Sequence, residues 1–419
     1  MPQSYHARCL WVVLAAAGCG AQGDRTASAA DGVATPAAVV QPGIETLLAD
    51  SIHLVAGRRV ALLTNHTGVD REGRSSIDRL HEHPQVELVA LFSPEHGIRG
   101  AAEAGELVES GRDEATGLPI HSLYGSTRQP TPAMLEGIDV LLYDIQDVGT
   151  RYYTYISTMA LAMEAAGAAG IPFVVLDRPD PIDGATVQGN VLDPAWSTFV
   201  GRYPIPMRYG MTPAEMARMM VGEFGVQVDL AVAPLSGWSR GLRFDQTGLP
   251  WIPPSPNMPS LESALHYAGT CLFEGTNVSV GRGTGQAFQQ IGAPWLDGAE
   301  LIRRMREYDL QGVGFEPVSF TPRQPGDGMY GDETVHGVRL TVTGPGYDPV
   351  QTAVALLIES RRMAGDRWDW REGHFDRLAG TDALRRGIEQ EQGLAAVTAT
   401  WAAERAAFET LRQRYLIYP

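Results

Sequence analysis

The chain has 419 residues, 44% of them hydrophobic and 20% charged, an apolar content that supports a globular fold with a sizeable core. Against 49 acidic residues stand 33 basic ones, and the net charge of −16 argues against attraction to nucleic acid or to an anionic membrane face. Every basic residue is an arginine, which excludes chemistry that needs a lysine amine, such as a Schiff base or a Walker A nucleotide site.

The N-terminus reads as an export signal. Arg8 supplies the positive charge, the apolar run LWVVLAAA follows from Leu10 to Ala17, and small residues come next. Eight apolar residues are too few to span a bilayer, which takes ~20. The residues Ala16-Ala17-Gly18-Cys19 resemble a bacterial lipoprotein cleavage box with Cys19 as the lipidation site. Residues 1–18 are therefore expected to be a signal peptide and residues 19–42, rich in Ala, Gly, Ser, Thr and Pro, a flexible linker. On this reading the protein is exported, periplasmic or membrane-anchored. With Cys9 in the signal and Cys19 lipidated, Cys271 stands alone and no internal disulfide is available.

From residue 43 the pattern alternates between strands and helices. Apolar runs at Arg59–Thr64, Val86–Phe92, Asp139–Tyr143 and Pro172–Leu176 predict four strands, with helices over Ser75–His83 and Ser157–Ala169. Near-continuous apolar strands separated by helices indicate a parallel α/β sheet buried on both faces. The second half is less regular. Leu249–Pro259 holds five prolines and predicts an extended segment, Val335–Val342 alternates as a strand, and helices are expected at Pro349–Met363, Ala383–Gln392 and Trp401–Tyr415. Residues 43–205 and 206–419 are accordingly expected to form an α/β domain and a second, α+β domain.

Ligands of open parallel sheets bind at the carboxyl ends of the strands, and all four predicted ends carry reactive side chains: Asn65 and His66, Glu95 and His96, Asp144 and Asp147, Asp177 and Arg178. Turn formation explains one or two such ends; four together point to a site. In Ser93-Pro94-Glu95-His96-Gly97-Ile98-Arg99-Gly100 a carboxylate, an imidazole and a guanidinium share one loop, a set suited to acid–base work. The run from Asp144 to Tyr155 adds two carboxylates, Arg151 and three tyrosines, among them Tyr153, which suit sugar binding by stacking and hydrogen bonds. Glu274 and Arg282 form a third set, for which a plain ion pair is an equal reading. Gly237-Trp238-Ser239-Arg240-Gly241 matches the GxSxG elbow, but loop rather than helix follows, so Ser239 is not expected to be a nucleophile. The ten histidines show no ligand spacing, and no metal is expected.

Several of these runs are shared with one family. Leu63-Thr64-Asn65-His66-Thr67-Gly68, Phe92–Gly100, Asp144–Arg151, Pro254-Ser255-Pro256-Asn257-Met258-Pro259, Glu274-Gly275-Thr276-Asn277, Gly281-Arg282-Gly283-Thr284 and the terminal Tyr415–Pro419 resemble the exo-β-N-acetylmuramidases. The resemblance covers residue 43 to the C-terminus. It implies a Rossmann-like parallel-sheet domain plus a smaller domain, an active site in the cleft between them, and release of non-reducing terminal β-1,4-linked N-acetylmuramic acid from peptidoglycan-derived MurNAc-GlcNAc oligosaccharides. It places the catalytic glutamate at Glu95; glycoside hydrolysis then calls for a second carboxylate, for which Asp144 and Glu274 are the candidates, with His96 expected to tune Glu95 through a hydrogen bond. Asn65, His66, Arg99, Asp147, Arg151, Tyr153, Asn257, Asn277 and Arg282 are the expected substrate-binding residues, Arg151 and Arg282 facing the lactyl carboxylate. Two departures stand out: Asp180 where the family usually has asparagine, and the loop Gly283–Phe288 in place of Thr-x-Pro-Phe. No cofactor is expected, since no glycine-rich dinucleotide turn follows the first strand. A non-catalytic muropeptide-binding lipoprotein and a metal-dependent amidase are the competing classes.

Overall fold

The computed structural model describes residues 40–99, 102 and 105–419. The expected signal peptide, Cys19 and most of the linker lie outside the described residues. The last three linker residues, 40–42, are part of the fold, with Val40 buried against Leu235, Trp238 and Tyr418.

Nine short strands make up the first part of the chain: β1 (Arg59–Thr64), β2 (Glu87–Ser93), β3 (Gly111–Arg112), β4 (Pro119–Ser122), β5 (Val140–Asp144), β6 (Phe173–Leu176), β7 (Gln188–Val191), β8 (Pro206–Arg208) and β9 (Leu230–Ala233). Seven of them form one sheet in the order β3-β4-β2-β1-β5-β6-β9, parallel except for the edge strand β3. Strand order reverses beside β1: the chain runs outward through β2 and β4, then returns to place β5 on the other side of β1, with Thr64 level with Asp144. Such a reversal opens a crevice at the carboxyl edge.

The strands read as continuous apolar runs because both faces are covered, and the period of two sorts their side chains cleanly. Ala61, Leu63, Leu141, Tyr143, Phe173 and Val175 belong to the main core, which also takes in α3 (Tyr155–Ala168) and α4 (Pro213–Gly222). Val60, Leu62, Val140, Leu142, Val174 and Leu176 point the other way, onto α1 (Gly43–Asp50) and α2 (Ser76–His81). Local signals set the helix starts. The Ser75 hydroxyl accepts from the Ile77 amide, and Thr212 with Glu215 closes a capping box on α4.

The remainder adds α5 (Leu261–Thr270), α6 (Gly298–Met305), α7 (Pro349–Ala364) and α8 (Glu372–Ala379), with an antiparallel sheet of β10 (Gln290–Ala293), β11 (Val313–Phe320) and β12 (Val335–Val342) in the order β10-β12-β11. β7 and β8 pair separately. Residue 205 does not divide the chain where expected: β9 returns to the parallel sheet after it, and Ala38–Pro419 forms one compact unit. The main core runs without a break from Phe92 and Tyr143 to Phe273, Phe288 and Leu356. Among the described residues, no helix is long and apolar enough to cross a membrane.

Candidate active site

β2 ends at Ser93, and the chain turns at once to present Glu95. His96 and Gly97 both take left-handed backbone angles, φ 70° and 75°. Glycine adopts that region freely, and histidine is among the few other residues enriched there. The His96 ring is braced by its Nδ1, 2.6 Å from the Ala102 carbonyl. Glu95 is buried, and its carboxylate is held from several sides. The Gly105 amide donates to Oε1 at 2.9 Å, and the Thr154 hydroxyl, from the N-cap of α3, donates to Oε2 at 2.5 Å. The Tyr124 hydroxyl also hydrogen-bonds to Glu95. Burial, then the negative charge of Glu95, pushes the Tyr124 phenol up to about 12, so at neutral pH it keeps its proton and donates.

Glu95 and His96 open onto a cavity of about 290 Å³. The other half of the chain supplies its far side. After α5 a single tight turn, Cys271–Gly275, presents Glu274, whose Oε1 accepts from Arg282 Nε at 2.8 Å and from Arg282 Nη2. Burial opposes the charge on Arg282, but Glu274 beside it outweighs that effect, and the guanidinium pKa lies above its ordinary value. An aromatic ladder joins the two sides: Tyr153 meets Tyr155 at 4.9 Å and Tyr267 at 5.7 Å, and Tyr267 meets Phe288 at 4.7 Å, all edge to face. These rings line the cavity and give it an apolar wall with hydroxyls set into it.

Of the expected site residues, Glu95, His96, Tyr153, Glu274 and Arg282 therefore share one cavity. The others lie outside its lining, each with a visible structural task. Asp144 is paired with Arg178 at 2.5 Å and accepts from Ser76 at 2.5 Å, with 1% of its surface exposed. Asp147 accepts from the Tyr209 hydroxyl and the Gly149 amide, and burial pushes its carboxyl up to about 6. Arg151 is fully buried with its Nη atoms on the carbonyls of Asn190, Ile205, Leu378 and Ala379. Asn65 donates to the Tyr155 hydroxyl, and His66 Nε2 sits 2.7 Å from the Pro253 carbonyl, so both brace the proline-rich segment behind the site. Tyr155 donates to the neighbouring Pro254 carbonyl. Burial lowers the His66 pKa, and His96 nearby lowers it further.

Arg99 pairs with Asp113, and Asn277 clamps a distant loop by donating to the Arg367 carbonyl and accepting from the Asp369 amide. Asn257 is buried in the proline-rich segment, whose Ser255 and Met258 reach the cavity. Asp177 and Arg178, at the end of β6, are also occupied. Asp177 accepts from Tyr418, Thr212 and Ala214, fastening the C-terminus and the start of α4 to the sheet. Ser239 sits in the segment that docks the chain end, where the Arg240 amide donates to the Pro419 carbonyl. Of the two departures from the family pattern, Asp180 is buried away from the cavity, while Phe288 lines it beneath Arg282, whose guanidinium is 5.2 Å from the ring centre.

Sequence reasoning missed Tyr124, Tyr267, Asp327, Arg371 and His374 in the lining. The stretch Trp368-Asp369-Trp370-Arg371-Glu372-Gly373-His374 carries a signal for Arg371 and His374 alone, an aromatic pair followed by a cation and an imidazole at a helix start. Among the described residues no group of three or more His, Cys, Asp or Glu is placed to hold a metal ion.

A doubly wound sheet with an aromatic-walled cavity at its carboxyl edge, entered by separate carboxylates, defines a class of α/β protein with the groups that glycoside hydrolysis uses. Residues 60–262 match the N-terminal model of exo-β-N-acetylmuramidase NamZ, and residues 265–418 match the C-terminal model. The peptidoglycan β-N-acetylmuramidase NamZ of Bacillus subtilis (strain 168) is 44% identical over 381 residues, 90% of this chain and 91% of that protein. Two DUF1343 family proteins of Bacteroides fragilis NCTC 9343 share the fold. One has a TM-score of 0.84 at 37% identity over 91% of this chain and 99% of its own. The other has a TM-score of 0.73 at 33% identity over 90% and 99%. The chain belongs to the NamZ exo-β-N-acetylmuramidase family.

Proposed function

We propose that the protein is an exo-acting glycoside hydrolase that releases non-reducing terminal β-1,4-linked N-acetylmuramic acid from peptidoglycan fragments, in cell-wall turnover or recycling. One observation carries the reading: Glu95, buried and held by Thr154, Tyr124 and Gly105, opens onto the same small cavity as Glu274. At about 290 Å³ that cavity stands at the lower end of small-ligand sites, ~300–1,000 Å³, a size suited to one terminal sugar rather than a run of glycan strand. In this reading Glu95 protonates the leaving glycosidic oxygen and Glu274, fixed by Arg282, is the second carboxylate. Asp144 has no such part, because its two oxygens are committed to Arg178 and Ser76. Export and anchoring through a lipid on Cys19 belong to the same proposal, and Cys19→Ser should then release the protein from the membrane fraction.

The test is release of free N-acetylmuramic acid from a MurNAc-GlcNAc disaccharide by the wild type and by Glu95→Gln. The expected result is release by the wild type and a loss of ~100-fold or more in the variant, the scale of a removed general acid. Binding without cleavage by the wild type would make this a muropeptide-binding lipoprotein. Undiminished cleavage by Glu95→Gln would move the acid to another residue.

A further inference from the structure

We propose that Arg371 is the receptor for the carboxylate of the terminal sugar, the group that distinguishes N-acetylmuramic acid from N-acetylglucosamine. The inference rests on the substrate class proposed above. A carboxylate entering this cavity is matched best by a guanidinium fork, and with no lysine in the chain arginine is the strongly basic side chain available. Two arginines line the cavity, Arg282 and Arg371. Arg282 is engaged: two of its nitrogens bond to Glu274, and Asp327 lies 4.0 Å from its Nε. Arg371 is exposed, and its side chain makes no ion pair or hydrogen bond among the described residues. The cavity thus holds one guanidinium already neutralised and one with its whole fork available.

The backbone beneath that free side chain is rigidly placed, and placed relative to Glu274. The Arg371 amide donates to the Gly275 carbonyl at 2.9 Å, and Trp370 forms an antiparallel bridge with Thr276. The Trp370 ring packs edge-on against Phe375 at 4.6 Å. Phe375 in turn sits so close to Gly275 that a Cβ there would lie 2.5 Å from the Phe375 Cα. Asn277 closes the arrangement from the other side by holding Arg367 and Asp369. The loop with the second carboxylate and the loop with the free cation are therefore one assembly. A fixed base with an unsatisfied head is the arrangement that lowers the ordering cost of binding. His374, in the first turn of α8, also lines the cavity, where burial lowers its pKa and leaves it a neutral hydrogen-bonding partner.

The experiment measures calorimetric binding of free N-acetylmuramic acid and of N-acetylglucosamine to the wild type, Arg371→Gln and Arg371→Lys. The wild type should prefer the muramic sugar, and Arg371→Gln should lose roughly 10- to 100-fold of its affinity, the scale of a charge-assisted contact. N-acetylglucosamine binding should stay within about threefold, and Arg371→Lys should recover part of the loss. On a muramic-acid-terminated substrate, KM should rise by a similar factor with kcat little changed. The melting temperature should move little, since the exposed side chain makes no ion pair or hydrogen bond among the described residues. A wild type that does not discriminate, or an Arg371→Gln variant that discriminates as well as the wild type, overturns the proposal. Arg371-dependent binding without any cleavage would support the receptor and remove the hydrolase reading. Cleavage that ignores Arg371 would do the reverse.

Discussion

Asp144 separates a structural carboxylate from a catalytic one, and Asp144→Asn tests that separation. In the wild type Arg178 Nε lies 2.5 Å from Asp144 Oδ1, with the two side chains 4% and 1% exposed, and Ser76 donates to the second oxygen. The substitution keeps the shape and removes the charge: the amide oxygen can still accept from Arg178 Nε, but the buried guanidinium loses the countercharge paired with it, whereas Arg282 in the Glu274 pair keeps Asp327 4.0 Å from its Nε. Breaking a buried pair on one side costs about 3–5 kcal/mol. With ~2.1 cal/mol/K of unfolding entropy per residue, a unit of this size has ΔS near 0.8 kcal/mol/K, so Tm should fall by roughly 4–6 °C. Differential scanning calorimetry reads the Tm, and muramic acid release well below the transition reads the chemistry. Asp144→Asn should be less stable with kcat within about threefold of wild type. An unchanged Tm with kcat lowered ~100-fold would refute the argument and return Asp144 to the reaction.

Glu274→Gln should behave in the opposite way: the amide oxygen still accepts from Arg282, so Tm should move little while kcat falls ~100-fold or more. Near-normal turnover would shift the second role to Asp327. Asp147 gives a pH test. Burial raises its carboxyl from 3.8 to about 6 in the folded state, so folding favours the protonated form. The penalty for ionising it is absent below pH ~3.8 and complete above pH ~6, where it amounts to about 3 kcal/mol. Asp147→Asn should therefore gain stability relative to wild type as pH rises from 4 to 7 in urea titrations, and a pH-independent difference would contradict this.

The parallel sheet was legible because it is buried on both faces: β1, β2, β5 and β6 are short apolar runs bounded by turn residues, and nothing competes with that signal. β9 was missed: it is the edge strand of the sheet, only partly buried, and its Leu-Ala-Val-Ala is made of smaller side chains than the Phe-Val-Val-Leu of β6. Part of the site was legible for the same local reason. Glu95 and His96 share one turn, and Glu274 lies eight residues from Arg282, so proximity in the chain stood in for proximity in space. Arg371 had no such proximity in the chain, since contacts far apart in sequence, such as the bridge between Thr276 and Trp370 and the Arg371 amide on the Gly275 carbonyl, bring it to the cavity. Asp144, Asp147 and Asp177 stand out in the sequence yet lie outside the cavity lining, because sealing the carboxyl edge of a sheet with buried hydrogen bonds calls on the same residue types as catalysis does.

The arginines show why residue type alone misleads in this chain. With no lysine, every cationic task falls to one side chain, and most of the buried tasks are structural. Arg151 gathers four carbonyls from three segments, and Arg412 reaches the carbonyls of Gly184, Tyr209, Gly210 and Ala185. Arg240 ties Gly184 and Tyr418 to Glu215. A planar fork with five N–H donors can span such sets, and an ammonium cannot. Burial with saturated donors therefore marks an arginine as a strut. Burial without a countercharge pushes the Arg151 pKa down to about 10, which an enzyme tolerates in a strut. By that criterion Arg151, next to an acidic and aromatic motif, is structural. Arg371, at the start of α8, is a cavity-lining guanidinium whose donors have no hydrogen-bond partner among the described residues.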